Sequence, residues 1–313
     1  MKPEIVLTGP MMPHVIEALE AAYTVHRSDE AEDLAAFLAE VAPSVRGIAT
    51  GGHHGNLDNA LVDALPKLEI ISSFGVGIDN VDVRYVTGKG ITVTNTPGVL
   101  NDDVSNLAIA LLLMCSRKLS AADRYVRQGQ WLEADMPLQQ SIRGRTVGIL
   151  GLGRIGKDIA AKLQVFGCEV VYHGRSEQSD QPYRYYGDLV EMARESDHLV
   201  VICPGGPATA GIVNRAVLEA LGPEGTLINV ARGSVVDEPE LVSALLDGRL
   251  GSAGLDVFAA EPKVPEALLE LDQVVLLPHV GSATVQTRKA MGDLVVDNLA
   301  SHFAGKGALT PVT

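Results

Sequence analysis

Apolar residues in the first hundred positions occur in short runs separated by segments of helical periodicity. The short runs predict buried strands, and the periodic segments predict amphipathic helices. The predicted strands cover residues 5–7, 47–49, 70–73 and 91–93, and the predicted helices cover residues 15–22 and 34–40. This alternation of strand and helix predicts a parallel sheet covered on both faces.

A second series with the same alternation begins after residue 144. Its predicted strands cover residues 146–150, 168–173, 198–203, 226–231, 252–258 and 274–278; the helix after the first of them runs to residue 166, and a final helix covers residues 283–303. Two doubly wound α/β domains follow from this pattern. The last helix is expected to carry the chain back to the first domain, whose boundaries become residues 1–99 and 286–313, with residues 100–285 forming the other domain.

A long apolar segment joins the two series. Pro97 and Gly98 break the preceding strand, and the pattern predicts one long helix that runs from about residue 101 to residue 128. Residues 107–113 are apolar almost all round. Such a helix must be buried on most sides, either by two domains or by a second subunit.

Composition agrees with a globular protein of two cores. The chain has 313 residues, of which 46% are hydrophobic and 20% charged. Its longest apolar stretch, residues 107–115, is far shorter than the ~20 residues that cross a bilayer, and the first residues show no signal-peptide hydrophobic region. We therefore expect no membrane association.

The net charge limits the classes of ligand that the protein can bind, and the cysteines indicate its redox environment. The formal net charge of −14 argues against nucleic acid and anionic membranes, so any anionic ligand must be met by local basic residues. Cys115, Cys168 and Cys203 are widely separated and lie in apolar segments. They are expected to be small buried residues in a protein of the reducing cytoplasm.

A glycine pattern opens the second series. Gly151, Gly153 and Gly156 form GxGxxG between a predicted strand and a predicted helix, which is the context that a dinucleotide fingerprint requires. The first glycine permits a tight turn, the second lets a pyrophosphate approach the backbone, and the third lets helix and strand pack closely. The helix N-terminus would then bind the phosphates.

The next predicted strand ends without the acid that usually binds the ribose of NAD. Gly174, Arg175 and Ser176 stand there instead. Arg175 could pair with a 2′-phosphate and stack on adenine, and Ser176 could donate a hydrogen bond to the same phosphate. The sequence therefore favours NADPH over NADH, the alternative being that Arg175 is a solvated turn residue.

Three later strands are each followed by a polar residue with catalytic potential. Arg232, Glu261 and His279 follow the predicted strands that end near residues 231, 258 and 278. In an open α/β sheet, ligands bind at the edge formed by the carboxyl ends of the strands. Arg232 could hold the carboxylate of a 2-keto acid, His279 could protonate its carbonyl oxygen, and Glu261 could orient the imidazole and favour its protonated form.

Motifs along nearly the whole chain resemble the D-2-hydroxyacid dehydrogenase family. They are "SSFGVGIDNVD" (72–82), "TNTPGV", "GILGLGRIG", "INVARGSVVDEPELVSALLDGRLGSAGLDVFAAEP" and "VVLLPHVGSATVQTRKAM", in family order. Within the family, "LGPEGTLINVARG" and "VDEPELVSAL" are most similar to NADPH-preferring glyoxylate/hydroxypyruvate and hydroxyphenylpyruvate reductases. The resemblance implies a Rossmann dinucleotide-binding domain and a smaller flavodoxin-like substrate domain.

The resemblance also implies an activity and a set of site residues. The activity is NADPH-dependent reduction of a small 2-keto acid, glyoxylate to glycolate or hydroxypyruvate to D-glycerate, with Arg232, Glu261 and His279 as the catalytic trio. The implied substrate-binding residues are Val76 and Gly77 (through backbone N–H groups), His53, Arg232, His279 and Ser282. Besides the fingerprint glycines, the implied cofactor contacts are Arg154, Ile155, Gly174, Arg175, Ser176, Cys203, Pro204, Thr209, Val230, Ala231, Arg232, Asp256, His279 and Gly281. Asp256 is expected at the nicotinamide carboxamide, and members of the family are usually homodimers joined through the long apolar helix and the arm after it.

Two adjacent histidines mark the loop expected to cap the substrate. Because adjacent side chains are expected to point in different directions, we expect no metal site at His53 and His54 and interpret them as polar groups above a small, hydrophilic keto acid. Trp131 and Met136 either cap the site from the dimer arm or serve packing. The alternatives are a hydroxyphenylpyruvate or other 2-keto acid reductase of the same family, a dinucleotide-sensing corepressor, and a hydrolase built on a Rossmann-type core.

Overall fold

The computed structural model describes residues 2–51 and 57–312, and the chain divides into two compact units. The first unit comprises Met1–Leu100 and Thr284–Thr313, and the second comprises Asn101–Ala283. The division lies one or two residues from the boundaries expected from the sequence.

The first unit is built on a sheet of five parallel strands. The strands are β1 (Glu4–Thr8), β2 (Thr24–Arg27), β3 (Val45–Thr50), β4 (Ile70–Ser73) and β5 (Thr92–Thr94), and the helices between them are α1 (Pro13–Ala22), α2 (Leu34–Val41), α3 (Asn59–Ala64) and α4 (Val83–Gly88). The spatial order β2-β1-β3-β4-β5 is that of flavodoxin-like sheets. Aspartates cap three of its helices, because the side chains of Asp33, Asp58 and Asp82 accept backbone N–H groups at the starts of α2, α3 and α4.

The second unit carries a sheet of seven parallel strands. Its helices are α5 (Asn101–Ser116), α6 (Leu119–Arg127), α7 (Arg154–Val165), α8 (Leu189–Arg194), α9 (Arg215–Leu221), α10 (Glu238–Leu246) and α11 (Glu266–Leu269), and its strands are β6 (Thr146–Leu150), β7 (Glu169–His173), β8 (Arg184–Tyr186), β9 (His198–Val201), β10 (Thr226–Asn229), β11 (Ser252–Leu255) and β12 (Val274–Leu276). The order β12-β11-β10-β9-β6-β7-β8 is the Rossmann order with one added strand. The predicted fold class is therefore confirmed.

The final helix, α12 (Val285–Phe303), belongs to the first unit. Its Val295 and Leu299 are fully buried and pack with Ile5 and Leu7 of β1. The hydroxyl of Ser72 on β4 donates to the Val295 carbonyl at 3.1 Å. The opposite face of the sheet is covered by α2, α3 and α4, so both faces of this sheet are buried, as its continuous apolar strands require.

The prediction of a single long helix to residue 128 is wrong. The helix ends at Ser116, and α6 starts at Leu119 after a bend of 60°. Lys118 adopts a left-handed backbone with φ 48°, which an α-helix cannot contain. Helix α5 is buried against β10, β11 and α7 of its own unit, and at Gly254 on β11 a Cβ would lie 3.2 Å from that of Leu111, so the missing side chain permits this close packing.

Taken singly, none of the helices in residues 2–51 and 57–312 is long and apolar enough to cross a membrane. Only the bent pair α5 and α6 reaches that length and composition, and only when the two are counted together.

Two strands are absent from the sequence prediction, and four predicted strands extend past the observed C-terminal end; one of the four is β9, which ends at Val201 and not at residue 203. Both β2 and β8 are short edge strands, of four and three residues, without an apolar run. In contrast, β10, β11 and β12 end at Asn229, Leu255 and Leu276, before the apolar residues that follow them in sequence. After β10 and β11 those residues remain buried, whereas after β12 Leu277 is half-buried and Pro278 is exposed; all of them have left the ladder to form the loops that carry Arg232, Glu261 and His279.

One buried histidine makes the stability of the second unit sensitive to acid. His198 begins β9 between Val147 and Thr226 and is only 6% exposed, and among the residues that the structure describes neither of its ring nitrogens has a hydrogen-bond partner. Burial lowers the pKa of His198 from 6.5 to about 4; the neighbouring Asp197 opposes this shift and Arg145 adds to it.

We predict that the free energy of unfolding of His198→Leu falls less at acidic pH than that of the wild type. Because the folded-state pKa lies below the unfolded value, the unfolded chain binds more protons, and the free energy of unfolding falls as pH drops from about 6.5 towards about 4. Each pKa unit corresponds to ~1.4 kcal/mol, so the difference between wild type and variant should change by ~2–3 kcal/mol over that window. Urea unfolding at pH 8, 6 and 4.5 measures this, and parallel profiles for the two proteins would contradict the prediction.

Candidate functional site

The glycine fingerprint lies in the loop between β6 and α7, where its three glycines have separate steric roles. Gly151 has φ +104°, and a Cβ there would lie 2.7 Å from the backbone of Cys203. A Cβ on Gly156 would lie 2.2 Å from the Gly151 carbonyl oxygen. Around Gly153, at the N-terminus of α7, nothing lies within 4 Å of the Cβ position. The loop is thus closed on the protein side and open where a pyrophosphate would approach, so these residues fit a dinucleotide.

The loop after β7 is adjacent to the fingerprint. The Gly151 N–H donates to the carbonyl of His173, the last residue of β7, at 2.9 Å. Gly174 follows at once, and the side chains of Arg175 and Ser176 are exposed. Arg154 and Ile155, the other predicted fingerprint contacts, form the first turn of α7.

The loop after β9 places Cys203 against Gly151. Burial raises the pKa of the Cys203 thiol to about 11, so the thiol stays protonated and serves as a wall of the loop. The hydroxyl of Thr209 donates to the carbonyl of Pro204 at 2.7 Å. Thr209 thereby shapes the loop that contains the predicted cofactor contacts Cys203, Pro204 and Thr209 itself.

Arg232 is carried by a turn that Asn229 holds together. Asn229 is 1% exposed, and its side chain bridges the turn. Its Oδ1 accepts the Ala231 N–H and its Nδ2 donates to the Arg232 carbonyl, both at 3.0 Å. The Arg232 guanidinium donates from Nη1 to the Ala231 carbonyl at 2.7 Å. The sequence did not indicate a role for Asn229, because its position is that of the last residue of a strand. The predicted cofactor contacts Val230 and Ala231 are buried in the same turn.

Glu261 and His279 form a direct pair. His279 Nδ1 lies 2.7 Å from Glu261 Oε2, and each side chain is about one-quarter exposed. The other carboxylate oxygen of Glu261 accepts the Phe258 N–H at 3.1 Å. The carboxylate is therefore held by its own loop while it orients the imidazole.

The loops of Arg232 and Glu261 are packed backbone to backbone. A Cβ on Gly233 would lie 1.9 Å from the carbonyl carbon of Phe258, so no other residue fits there without a backbone shift. Glu238, at the start of α10, adds a second link, because its Oε1 accepts the Ala259 N–H at 2.9 Å.

Asp256 holds the turn of His279. His279 has a left-handed backbone with φ 52°, which is strained for a residue with a side chain. The two carboxylate oxygens of Asp256 accept the N–H groups of Val280 at 2.7 Å and Gly281 at 2.8 Å, and the Asp256 carbonyl accepts the His279 N–H at 2.9 Å. Burial raises the pKa of the Asp256 carboxyl, and the two N–H donors oppose that shift. The expected contact of Asp256 with a carboxamide stays a prediction; its hydrogen bonds show that it shapes the backbone around His279.

In the first unit, Val76 and Gly77 lie in the loop after β4. Gly75 has φ +125°, its N–H donates to Thr96 Oγ1 at 3.0 Å, and its carbonyl accepts the Thr96 N–H at 2.8 Å. Asn95 donates to the Val76 carbonyl at 2.9 Å. Within the described residues, no oxygen accepts the N–H of Val76 or Gly77, so this loop presents two backbone donors that could bind an anion.

The remaining predicted residues occupy less constrained places. Ser282 is half-buried in the turn between β12 and α12, while His53 and His54 lie outside the described residues. Trp131 is 63% exposed and donates to Asp135, and Met136 is half-buried. In the described part of the chain, no cluster of three or more His, Cys, Asp or Glu side chains could hold a metal ion.

The second unit thus brings an Arg, a Glu–His pair and a dinucleotide loop to the carboxyl edge of one sheet. Comparison with known proteins gives this arrangement a family. Residues 109–281 match the model of the D-isomer specific 2-hydroxyacid dehydrogenase, NAD binding domain. The chain belongs to the D-isomer specific 2-hydroxyacid dehydrogenase family.

Relatives of this dehydrogenase match it over nearly its full length. It is 51% identical over 308 residues to hydroxyphenylpyruvate reductase of Plectranthus scutellarioides and 47% identical over 308 residues to glyoxylate/hydroxypyruvate reductase A of Arabidopsis thaliana, with 98% of each chain covered in both cases. A solved structure, the NADPH-dependent glyoxylate/hydroxypyruvate reductase of Sinorhizobium meliloti in complex with NADP and malonate, is 49% identical with a TM-score of 0.95 and covers 100% of this chain and 97% of its own. The predicted family and enzyme class are therefore confirmed, and the dehydrogenase binds NAD(P).

We predict that Asp256→Asn lowers kcat of the dehydrogenase by roughly tenfold or more. The amide retains one acceptor but turns a donor towards a backbone N–H, and losing a charge-assisted hydrogen bond costs ~1.5–3 kcal/mol. Because the change acts on the His279 turn, the Kd of the cofactor, measured by fluorescence titration, should stay within about twofold.

Asp247→Asn is the control for this prediction, since Asp247 pairs with Arg249 at the surface of the same unit. A weakened cofactor Kd with unchanged kcat in Asp256→Asn would instead assign the carboxylate to cofactor binding.

Proposed function

We propose that this dehydrogenase reduces small 2-keto acids with NADPH, converting glyoxylate to glycolate and hydroxypyruvate to D-glycerate. The observation that carries the proposal is the 2.7 Å pair between His279 Nδ1 and Glu261 Oε2, which joins the loops after β12 and β11; β11 is the neighbour of β10, the strand that precedes Arg232. An imidazole that a protein carboxylate orients can protonate a keto oxygen, and a guanidinium can bind the carboxylate of a 2-keto acid.

Each residue of the trio has its own task in this mechanism. The Arg232 guanidinium binds the substrate carboxylate and polarises the keto oxygen. His279, with Nδ1 engaged by Glu261, gives a proton from Nε2 to that oxygen as it gains negative charge. Glu261 fixes the ring and stabilises the imidazolium before transfer. A bound nicotinamide supplies the hydride that goes to the carbonyl carbon.

The preference for NADPH rests on the loop after β7. Arg175 and Ser176 are exposed next to the fingerprint, where an NAD enzyme would carry an acid. A guanidinium can pair bidentately with a 2′-phosphate, and in a chain of formal charge −14 such an anion requires local basic residues. The Sinorhizobium meliloti relative, NADPH-dependent by name, supports the same preference.

A second substrate class is favoured by one specific observation. The 51% identical relative is a hydroxyphenylpyruvate reductase, and the 47% identical one is a glyoxylate/hydroxypyruvate reductase. Hydroxyphenylpyruvate is therefore the alternative substrate. The sequence expectation that the histidines at positions 53 and 54 cap the substrate favours the smaller, more hydrophilic acids, because a polar cap would suit a hydroxyl better than an aromatic ring.

The dehydrogenase is also proposed to act as a homodimer. Apolar side chains on the arm after α6 are exposed: Trp131 by 63%, Leu132 by 92% and Leu138 by 100%. Several exposed large apolar side chains on one short segment are typical of an interaction surface. We predict that sedimentation equilibrium gives about twice the chain mass of 33.1 kDa, and that Leu132→Asp shifts the equilibrium to monomer. A wild-type monomer at micromolar concentration would contradict the proposal.

The central prediction concerns turnover. Initial rates of NADPH and NADH oxidation with glyoxylate, hydroxypyruvate, pyruvate and 4-hydroxyphenylpyruvate should be highest for NADPH with the first two acids. Turnover confined to 4-hydroxyphenylpyruvate would favour the alternative substrate. Dinucleotide binding without turnover of any acid would favour a dinucleotide-sensing protein.

Two variants serve as controls for the assay. His279→Ala should lower kcat by roughly 10²–10⁴-fold, the usual contribution of a general acid, with cofactor binding retained. Arg175→Ala should raise the KM for NADPH and leave the KM for NADH nearly unchanged. Full activity of His279→Ala would remove the proposed proton donor.

A further inference from the structure

The loop that carries Arg175 and Ser176 is fixed at both ends by tyrosine hydroxyls. At its start, the hydroxyl of Tyr185 on β8 donates to the Gly174 carbonyl at 3.2 Å. At its end, the Gln178 N–H donates to the hydroxyl oxygen of Tyr172 on β7 at 2.7 Å. Tyr172 is fully buried, whereas Arg175 and Ser176 are exposed between these two anchors.

The side chain of Gln178 ties this loop to the fingerprint. Its Nε2 donates to the Leu152 carbonyl at 2.9 Å, across 26 positions of sequence. Leu152 stands between the first two fingerprint glycines, Gly151 and Gly153. One side chain therefore joins the loop suited to a 2′-phosphate to the loop suited to a pyrophosphate.

We propose that Gln178, anchored through Tyr172, is a positioning residue that sets the specificity for NADPH. The inference rests on the proposed use of NADPH, and it identifies the residue that holds the loop of Arg175 and Ser176 in place. We call the two hydrogen bonds of Gln178, to Leu152 and to Tyr172, the Gln178 clamp.

The physical reason is preorganisation. The 2′-phosphate and the pyrophosphate are attached to the same ribose of the cofactor, so the two loops that meet them must keep a separation that one ribose can span. Ordering a free loop on binding costs ~1 kcal/mol or more per residue, and a loop that is already fixed avoids that cost. NADH has no 2′-phosphate, so its binding gains little from an ordered Arg175 and Ser176.

The clamp is remote from the reaction. In the sheet order, β7 lies five strands from β12, which precedes His279. At a strand spacing of ~4.8 Å, this is a separation on the order of 20 Å. Loss of the clamp should therefore change cofactor binding and leave the chemical step intact.

The chain offers a matched control three residues further on. Gln181 is similarly half-buried, but its Nε2 bonds only locally in the described structure, to the carbonyl oxygen of Asp180 at 3.2 Å and to its Oδ2 at 2.9 Å. Gln181→Met removes an amide of the same size without touching either loop contact.

The test compares Gln178→Met, Tyr172→Phe, their double variant and Gln181→Met, with KM and kcat measured for NADPH and NADH at saturating glyoxylate. Methionine matches the length of glutamine but cannot donate. Gln178→Met should raise the KM for NADPH roughly 5–20-fold, as expected for one lost hydrogen bond and a loosened loop. Its kcat should stay within about twofold and its KM for NADH within about threefold.

Tyr172→Phe should shift KM in the same direction, and the double variant should fall short of the product of the two single effects, because both bonds hold the same residue. Gln181→Met should match wild type. Thermal unfolding shows whether each variant is folded. If Tyr172→Phe is unstable, Gln178→Met is the decisive variant, because Gln178 is only half-buried.

Equal increases in KM for both cofactors, or no increase, would overturn the inference. Arg175→Ala separates this failure from that of the proposed function. If Arg175→Ala raises the KM for NADPH and Gln178→Met does not, the clamp alone is wrong. If wild type shows no preference for NADPH and Arg175→Ala has no effect, the proposed cofactor is wrong and the inference falls with it.

Discussion

The parallel direction of the strands is the constraint on which the functional loops depend. All seven strands of the second sheet run the same way, so every loop that leaves a carboxyl end lies at one edge. Strands β10, β11 and β12 are neighbours there, and they carry Arg232, Glu261 and His279 in turn. The chain order reverses between β6 and β9, where the sheet has its topological switch point. The fingerprint loop and Cys203 meet at that point, in contact through Gly151.

Buried polar side chains then shape each loop. Asn229 closes the arginine turn with one acceptor and one donor, and Asp256 closes the histidine turn with two acceptors. In the first unit, half-buried Asn95 makes a single contact of this kind, by donating to the Val76 carbonyl. In the arginine and histidine turns, a buried side chain thus satisfies backbone groups that have left the sheet, so these groups are hydrogen-bonded although the backbone is irregular. The reacting side chains thus project from turns that are already fixed.

Much of this was accessible from sequence, and the failures have identifiable causes. The fingerprint and the three polar residues after buried strands were visible because their spacing follows from the alternation of strand and helix. The break at Lys118 was not, since nothing in the local composition indicates that a lysine adopts φ 48°. Strands β2 and β8 lack an apolar run because they are short edge strands. Asn229 and Gln178 could not be assigned because their partners are backbone groups, which leave no trace in residue identity.

The absence of a side chain at Gly233 has a consequence for how the site can vary. The arginine loop and the loop of Phe258 are in direct backbone contact, and no side-chain atom fits between them at position 233. Neither loop can change its shape alone. A bulkier residue at position 233 would displace the peptide between Phe258 and Ala259, which adjoins the Phe258 N–H that donates to Glu261, and through Glu261 it would move the imidazole. The three chemical groups are therefore mechanically one part, and diversification of substrate choice has to come from residues outside it.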